Sequence, residues 1–178
     1  MRVKLRLLGA VDGTVNGHVL PLGSRQQRLV LALLALHVNE PVPVERLVDW
    51  IWPDPPRRAV HAIRVHVSQL RLMLAGGKAE IVTQGPCYLL KADPDAIDAH
   101  RFLALVDQAA TKDDHAAVAL LDEALALWEG PALVDVADPE LRERVCGGLE
   151  ERRLQAVEDR YDALLRLGRD REDRKSVV

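Results

Sequence analysis

The residues of this chain best suited to chemistry lie in one run, PPRRAVHAIRVHVSQLRLML, at residues 55–74. Within it Val60, Ile63, Val67, Leu70 and Leu74 recur at alternating spacings of 3 and 4. That spacing predicts a helix with one apolar face that docks onto a fold. At about 100° per residue, Arg58, His61, Val65 and Gln69 point away from this face, and Arg57, Arg64, Ser68 and Arg71 line one shoulder. No acidic residue occurs from Pro55 to Lys78, whereas Arg57, Arg58, Arg64, Arg71 and Lys78 are basic. An ordinary solvated helix in an acid-rich chain mixes the two signs along its exposed face. The chemistry that fits is groove recognition. Arginine donates to phosphates and guanine edges, glutamine pairs with adenine, and an outward Val65 meets a thymine methyl. A basic helix with no partner has the same pattern, so the elements around it must decide.

Those elements begin with short strands. The N-terminus alternates Val3, Leu5 and Leu7 against Arg2, Lys4 and Arg6, the period of a strand with one buried face. Strands are expected at 3–9, 13–16 and 18–22, with room for a fourth; Asn16-Gly17 marks a hairpin because a type I′ turn needs positive φ at both central residues. Ser24 reads as the N-cap of a helix, SRQQRLVLALLALHVN, that is almost wholly apolar from Leu29 to Leu36 and therefore buried. Pro41 and Pro43 end it, leaving a one-pair strand. A second helix is expected from about Val44 to Trp52. The third is the basic helix, from about Pro56 to Leu74, ended by Ala75-Gly76-Gly77. Strands at Glu80–Thr83 and Tyr88–Lys91 close the first half. Strands, helix, short strand, two helices and a terminal hairpin make the element order of a winged helix-turn-helix.

After Asp95 the texture becomes continuously helical. Phe102, Leu105, Val106 and Ala109 form one stripe, and Val118, Leu121, Leu125 and Trp128 a second. Gly130-Pro131 breaks the pattern. A third helix starts with Asp138 as N-cap and Pro139 in the first turn, with a stripe of Leu154, Val157, Tyr161, Leu164 and Leu165. Antiparallel amphipathic helices on short loops predict a helical hairpin or solenoid. The net charge of −3 hides a split: residues 1–95 hold 12 Lys and Arg against 8 Asp and Glu, residues 96–178 hold 12 against 19. A basic front and an acidic back point to different partners.

The runs LGSRQQRLVLALLALHVNEPVPVERLVDWIW, AVHAIRVHVSQLRLMLA and IVTQGPCYLL resemble the OmpR-type winged helix of the Streptomyces antibiotic regulatory proteins. DPDAIDAHRFLALVDQA, ALLDEALALWEGPAL and LEERRLQAVEDRYDALLRLG resemble the bacterial transcriptional activation domain that follows it, so the likeness covers about residues 3–168. It implies an α+β N-terminal winged helix-turn-helix over residues 1–93, then a partial all-α, helical-hairpin or TPR-like activation domain over 97–168. Residues 169–178 are expected to be a disordered polar tail. The resemblance implies a pathway-specific activator of secondary-metabolite genes that binds tandem direct repeats as a tandem dimer on double-stranded DNA and recruits RNA polymerase or its sigma factor. It places Arg64, Val65, His66, Ser68, Gln69 and Arg71 at the DNA, and Thr83, Gln84 and Tyr88 on the wing. Ser24 and Arg25 become candidate phosphate contacts, and Trp52 either offers its indole N–H to a phosphate or packs in the core.

The chain departs from the family pattern where Gln69 stands for the usual Arg, Leu72 for a basic residue and Cys87 for the glycine before the wing tyrosine. The family's activation domain also continues through further helices, whereas this chain ends in RDREDRKSVV. Absent helices would leave part of the Leu154–Leu165 stripe uncovered unless a partner or second copy covers it. Other chemistry finds little support. The six histidines are scattered, with His61 and His66 five apart and so on different faces, which disfavours a metal. Cys87 and Cys146 form no CxxC pair. Leu74-Ala75-Gly76-Gly77-Lys78 is no phosphate loop. No enzyme, cofactor, metal or receiver domain is expected. Neither a signal peptide nor a membrane span is apparent, which predicts a cytoplasmic protein. Two alternatives stay open: a protein-interaction module, since winged helices also bind proteins, and a short-form antagonist that occupies sites without activating.

Overall fold

The computed structural model describes the backbone of residues 3–176 and the side chains of residues 3–168. Three antiparallel strands open the chain: β1 (Val3–Arg6), β2 (Asp12–Val15) and β3 (His18–Val19), in the order β1-β2-β3. Asn16 and Gly17 take φ of 53° and 83° between β2 and β3, as the Asn-Gly pair requires. Helix α1 (Arg25–Leu36) follows, with Ser24 as its N-cap and the Ser24 hydroxyl accepting from Gln27 N. Its Val30–Ala35 stretch is entirely buried. Then come β4 (Val42–Pro43), α2 (Val44–Ile51), α3 (Ala59–Leu74), β5 (Glu80–Gln84) and β6 (Cys87–Lys91). The second sheet has the order β4-β6-β5, and β5 and β6 form a hairpin in which Gln84 pairs with Cys87 across Gly85-Pro86. Helices α1, α2 and α3 pack together with this hairpin beside α3, which is the winged helix-turn-helix expected.

The helical half holds α4 (Asp98–Ala109), α5 (Asp114–Ala126) and α6 (Pro139–Ser176). Asp113 caps α5 by accepting from Ala116 N, and Asp138 accepts from Leu141 N at the start of α6. Ion pairs run up one helix and down the next. Arg101 of α4 meets Glu123 of α5, and on α6 Arg160 meets Asp122 while Arg166 meets Asp114. Both neighbouring pairs of helices are therefore antiparallel. Phe102, Leu105, Val106 and Ala109 are all buried, as their spacing predicted.

Several expectations are corrected by packing. The third helix starts at Ala59, because Pro56 to Arg58 form a turn closed by Ala59 N donating to Pro56 O. Its buried line is accordingly Ala59, Ile63, Val67, Leu70 and Leu74, with Val60 exposed. In α5 the small residues Ala117 and Ala124 join Leu121 as the buried line, and Val118 and Leu125 lie at its edges. The α6 stripe is not buried: Leu154, Tyr161, Leu164 and Leu165 are exposed, while Ala156 and Ala163 face the core. Small residues let helices approach closely, so alanines here outcompete the larger apolar side chains for the contact. Where a disordered tail was expected from residue 169, α6 runs on to Ser176. No proline interrupts that stretch, and Arg, Glu and Lys extend a helix readily once packing has nucleated it. Val177 and Val178 lie outside the described residues. Among the described residues the N-terminal sheet holds three strands, not four.

The first strand also stops early, at Arg6 instead of residue 9, because its backbone is claimed by the other half. Leu5 bridges Ile97. Leu7 N and Leu8 N donate to the Asp98 carboxylate at 2.8 and 3.0 Å, and Ala99 N donates to the same group at 2.7 Å. Glu129 N and Leu133 N donate to the carbonyls of Leu8 and Leu7 at 2.8 and 3.0 Å. Val11 N donates to Asp135, which also pairs with Arg28 at 2.5 Å. One continuous cluster of buried side chains, from Val3 to Ala156, spans both halves. The winged helix is thereby packed and hydrogen-bonded against the helical half.

Candidate nucleic-acid interface

Helix α3 is amphipathic in the sense its sequence required: one face is locked on α1 and α2 and the other is bare. Arg57, Arg58, His61, Arg64, Val65, Ser68 and Gln69 are all exposed. Arg58 occupies the N-cap position with no side-chain cap, and the first turn contains no acid. Cations at a helix N-terminus oppose the helix dipole, while anions are stabilised there. This end of α3 is thus arranged against its own stability and in favour of an incoming anion.

Val65 is 40% exposed and Leu72, seven residues on, 78% exposed, so two aliphatic side chains sit on one outward line of the helix. The Ser68 hydroxyl donates to Arg64 O at 2.9 Å, which leaves its oxygen available only as an acceptor. His66 lies on the flank, half-buried, with Nδ1 lacking a hydrogen-bond partner. Burial pushes its pKa below the ordinary histidine value, so the ring is neutral near pH 7.

The wing is built against the same helix. Arg71 Nε donates to Ile81 O at 2.7 Å, and its Nη2 donates to the Thr83 hydroxyl at 2.8 Å. The guanidinium carbon lies 5.8 Å from the centroid of the Tyr88 ring. Tyr88, a wing residue expected among the DNA contacts, is 7% exposed and packs in the core beneath Arg71. It belongs to the buried run Tyr88-Leu89-Leu90 of β6, where a large aromatic ring gains more from burial than from solvent. Gln84 is exposed at the end of the ladder, beside Gly85 at φ 57°, the positive value that a two-residue Gly-first turn needs.

The remaining candidates are committed elsewhere. Ser24 is exposed, but its hydroxyl serves the α1 cap. Arg25 Nε donates to Val136 O at 2.9 Å, tying the start of α1 to the helical half. Trp52 is half-buried against the core, with its backbone N–H on Val48 O. The residues that the sequence reading missed are Asp98, Asp135 and Arg28, which join the two halves. An aspartate in a first helical turn signals only dipole compensation, so nothing local marked Asp98.

Among the described residues no three His, Cys, Asp or Glu side chains gather as a metal site, and no helix is long and apolar enough to cross a membrane.

Residues 17–90 match the family described as "Transcriptional regulatory protein, C terminal", and residues 97–174 match the "Bacterial transcriptional activator domain". The chain is 34% identical to the transcriptional regulator RedD of Streptomyces coelicolor, over 93% of this chain and 50% of that protein. It is 32% identical to the regulatory protein DnrI of Streptomyces peucetius, over 94% of this chain and 66% of that one. Its fold superposes on the structure of Mycobacterium tuberculosis EmbR in complex with a low-affinity phosphopeptide, with a TM-score of 0.85 and 32% identity. That match covers 94% of this chain and 47% of EmbR. The chain therefore spans about half the length of RedD and EmbR.

Proposed function

This chain belongs to the Streptomyces antibiotic regulatory protein family of transcription regulators, an OmpR-type winged helix followed by a bacterial transcriptional activator domain, and on that premise we propose that its α3 enters the major groove of operator DNA and that the protein activates a set of secondary-metabolite genes. The observation that carries this reading is the bare, acid-free face of α3. Arg57, Arg58 and Arg64 stand ready for phosphates and guanine edges, Gln69 for adenine, and Val65 for a thymine methyl. Two copies bind tandem direct repeats, each through one winged helix, with Gln84 at the hairpin tip reaching the neighbouring backbone or minor groove. The helical half recruits RNA polymerase; its exposed Leu154, Tyr161 and Leu165 face supports contact with another protein.

The test is binding to duplexes selected from a randomised pool, followed across a salt series. Several phosphate contacts imply a log–log slope of roughly −4 to −8. Gln69→Leu should shift base preference at one position, whereas Arg64→Ala should weaken binding. Binding indifferent to salt and to both substitutions would refute the assignment. So would retention of polymerase by the chain with no DNA shift even at low salt, which would make the winged helix a protein-docking piece.

A further inference from the structure

Arg71 sits on the solvent side of α3, where a side chain of its type is expected to bind a phosphate. Its geometry commits two of its five N–H donors within the protein. The Nε–H is spent on Ile81 O at 2.7 Å and one Nη2–H on the Thr83 hydroxyl at 2.8 Å, both on β5. The guanidinium lies 5.8 Å from the centroid of the Tyr88 ring on β6, within the range of a cation–π contact. One side chain of the recognition helix thus grips both strands of the wing. The fork geometry of a guanidinium makes this a directional hold that an ammonium cannot reproduce.

Resting on the DNA-binding reading above, we propose that Arg71 is a positioning residue that sets the wing against α3, so that α3 and the hairpin tip reach one DNA site together. The chain's own structure explains why such a brace is needed. A two-residue hairpin turn at Gly85-Pro86 leaves Gln84 at the end of a narrow ladder. The wing's contact with DNA depends on the tilt of that ladder. Thr83 is immediately before Gln84, so the Arg71–Thr83 bond fixes the tilt one residue from the tip.

The experiment measures binding of the full chain to a duplex selected from a randomised pool, for Arg71→Lys, Thr83→Val and the double variant. A brace predicts that Arg71→Lys, which keeps the charge, still loses affinity by about ten-fold, the low end for hydrogen bonds to a charged group. Thr83→Val should lose part of the same factor, and the double variant no more than Arg71→Lys alone, because the two changes break one connection. Hydroxyl-radical footprints should lose protection under the wing and keep it over the α3 site, while the chain stays folded with a modest fall in thermal stability from the lost Arg71 bonds. If Arg71 is a phosphate contact, Arg71→Lys binds like the parent chain and Thr83→Val is neutral; that result overturns the brace and leaves the DNA-binding reading standing. Failure of the parent chain to bind any duplex at low salt overturns both.

Discussion

Replacing Asp98 by alanine removes the acceptor of three backbone N–H groups at once, those of Leu7, Leu8 and Ala99. Ala99 lies in the first turn of α4 and its bond is to the adjacent residue, so the long-range loss falls on the other two. Leu7 and Leu8 are each 1% exposed, so water does not replace the lost carboxylate. A buried donor left unsatisfied costs about 1–3 kcal/mol, and two of them sum to roughly 2–6 kcal/mol. Part of this is offset. Asp98 is itself half-buried, and this burial holds its pKa above the ordinary carboxylate value despite the three N–H groups and Arg6 nearby, which pull it down. Keeping it ionised therefore has a cost that alanine removes. A net loss on the order of 3 kcal/mol is expected, a large fraction of the stability of an ordinary domain. Asp98→Asn should lose roughly half as much, since one oxygen remains to accept and the new NH2 faces a donor. Urea unfolding followed by circular dichroism measures this directly through the midpoint and the slope. An Asp98→Ala chain within about 0.5 kcal/mol of the parent, the range of an ordinary surface change, would refute the argument that this carboxylate clamps the two halves. The pH dependence adds a second check. Because the folded pKa of Asp98 is raised, the native state takes up this proton before the unfolded chain does, so Asp98 itself favours folding as pH falls toward the ordinary carboxylate range.

The histidine on α3 acts in the opposite direction. Burial depresses the pKa of His66, so the unfolded chain binds the proton first, and this group's contribution should be lost as pH falls from about 6.5; His66→Gln should flatten the stability curve there. Asp114, whose pKa is held down chiefly by the hydrogen-bonded Arg166, supports the fold above the ordinary carboxylate value, and its contribution should be lost at lower pH; comparing Asp114→Asn with the parent in acid unfolding tests this. The thiols should differ sharply. Cys146 is buried with its pKa pushed up to about 12, whereas Cys87 is half-buried at the wing, so a disulfide reagent should titrate one fast thiol per native chain and lose it in Cys87→Ser.

What the sequence settled by itself is what neighbouring residues settle among themselves. The Asn16-Gly17 turn needs two consecutive positive φ values, the Ser24 and Asp138 caps reach only to N–H groups three residues on, and the apolar period of α3 lies within one helix. These signals sufficed for the winged helix, for the three helices after it and for a bare cationic face on α3. The tertiary structure decided everything that depended on a distant partner. Leu7 and Asp98 are 91 residues apart, and no local pattern says that a strand will surrender its N–H groups to a helix so far along the chain. Likewise, Arg71 and Tyr88 both read as residues that face a ligand until the wing folds back and covers one with the other. Local steric preference is written in adjacent residues, whereas competition for a buried hydrogen bond is resolved only when the competing groups meet.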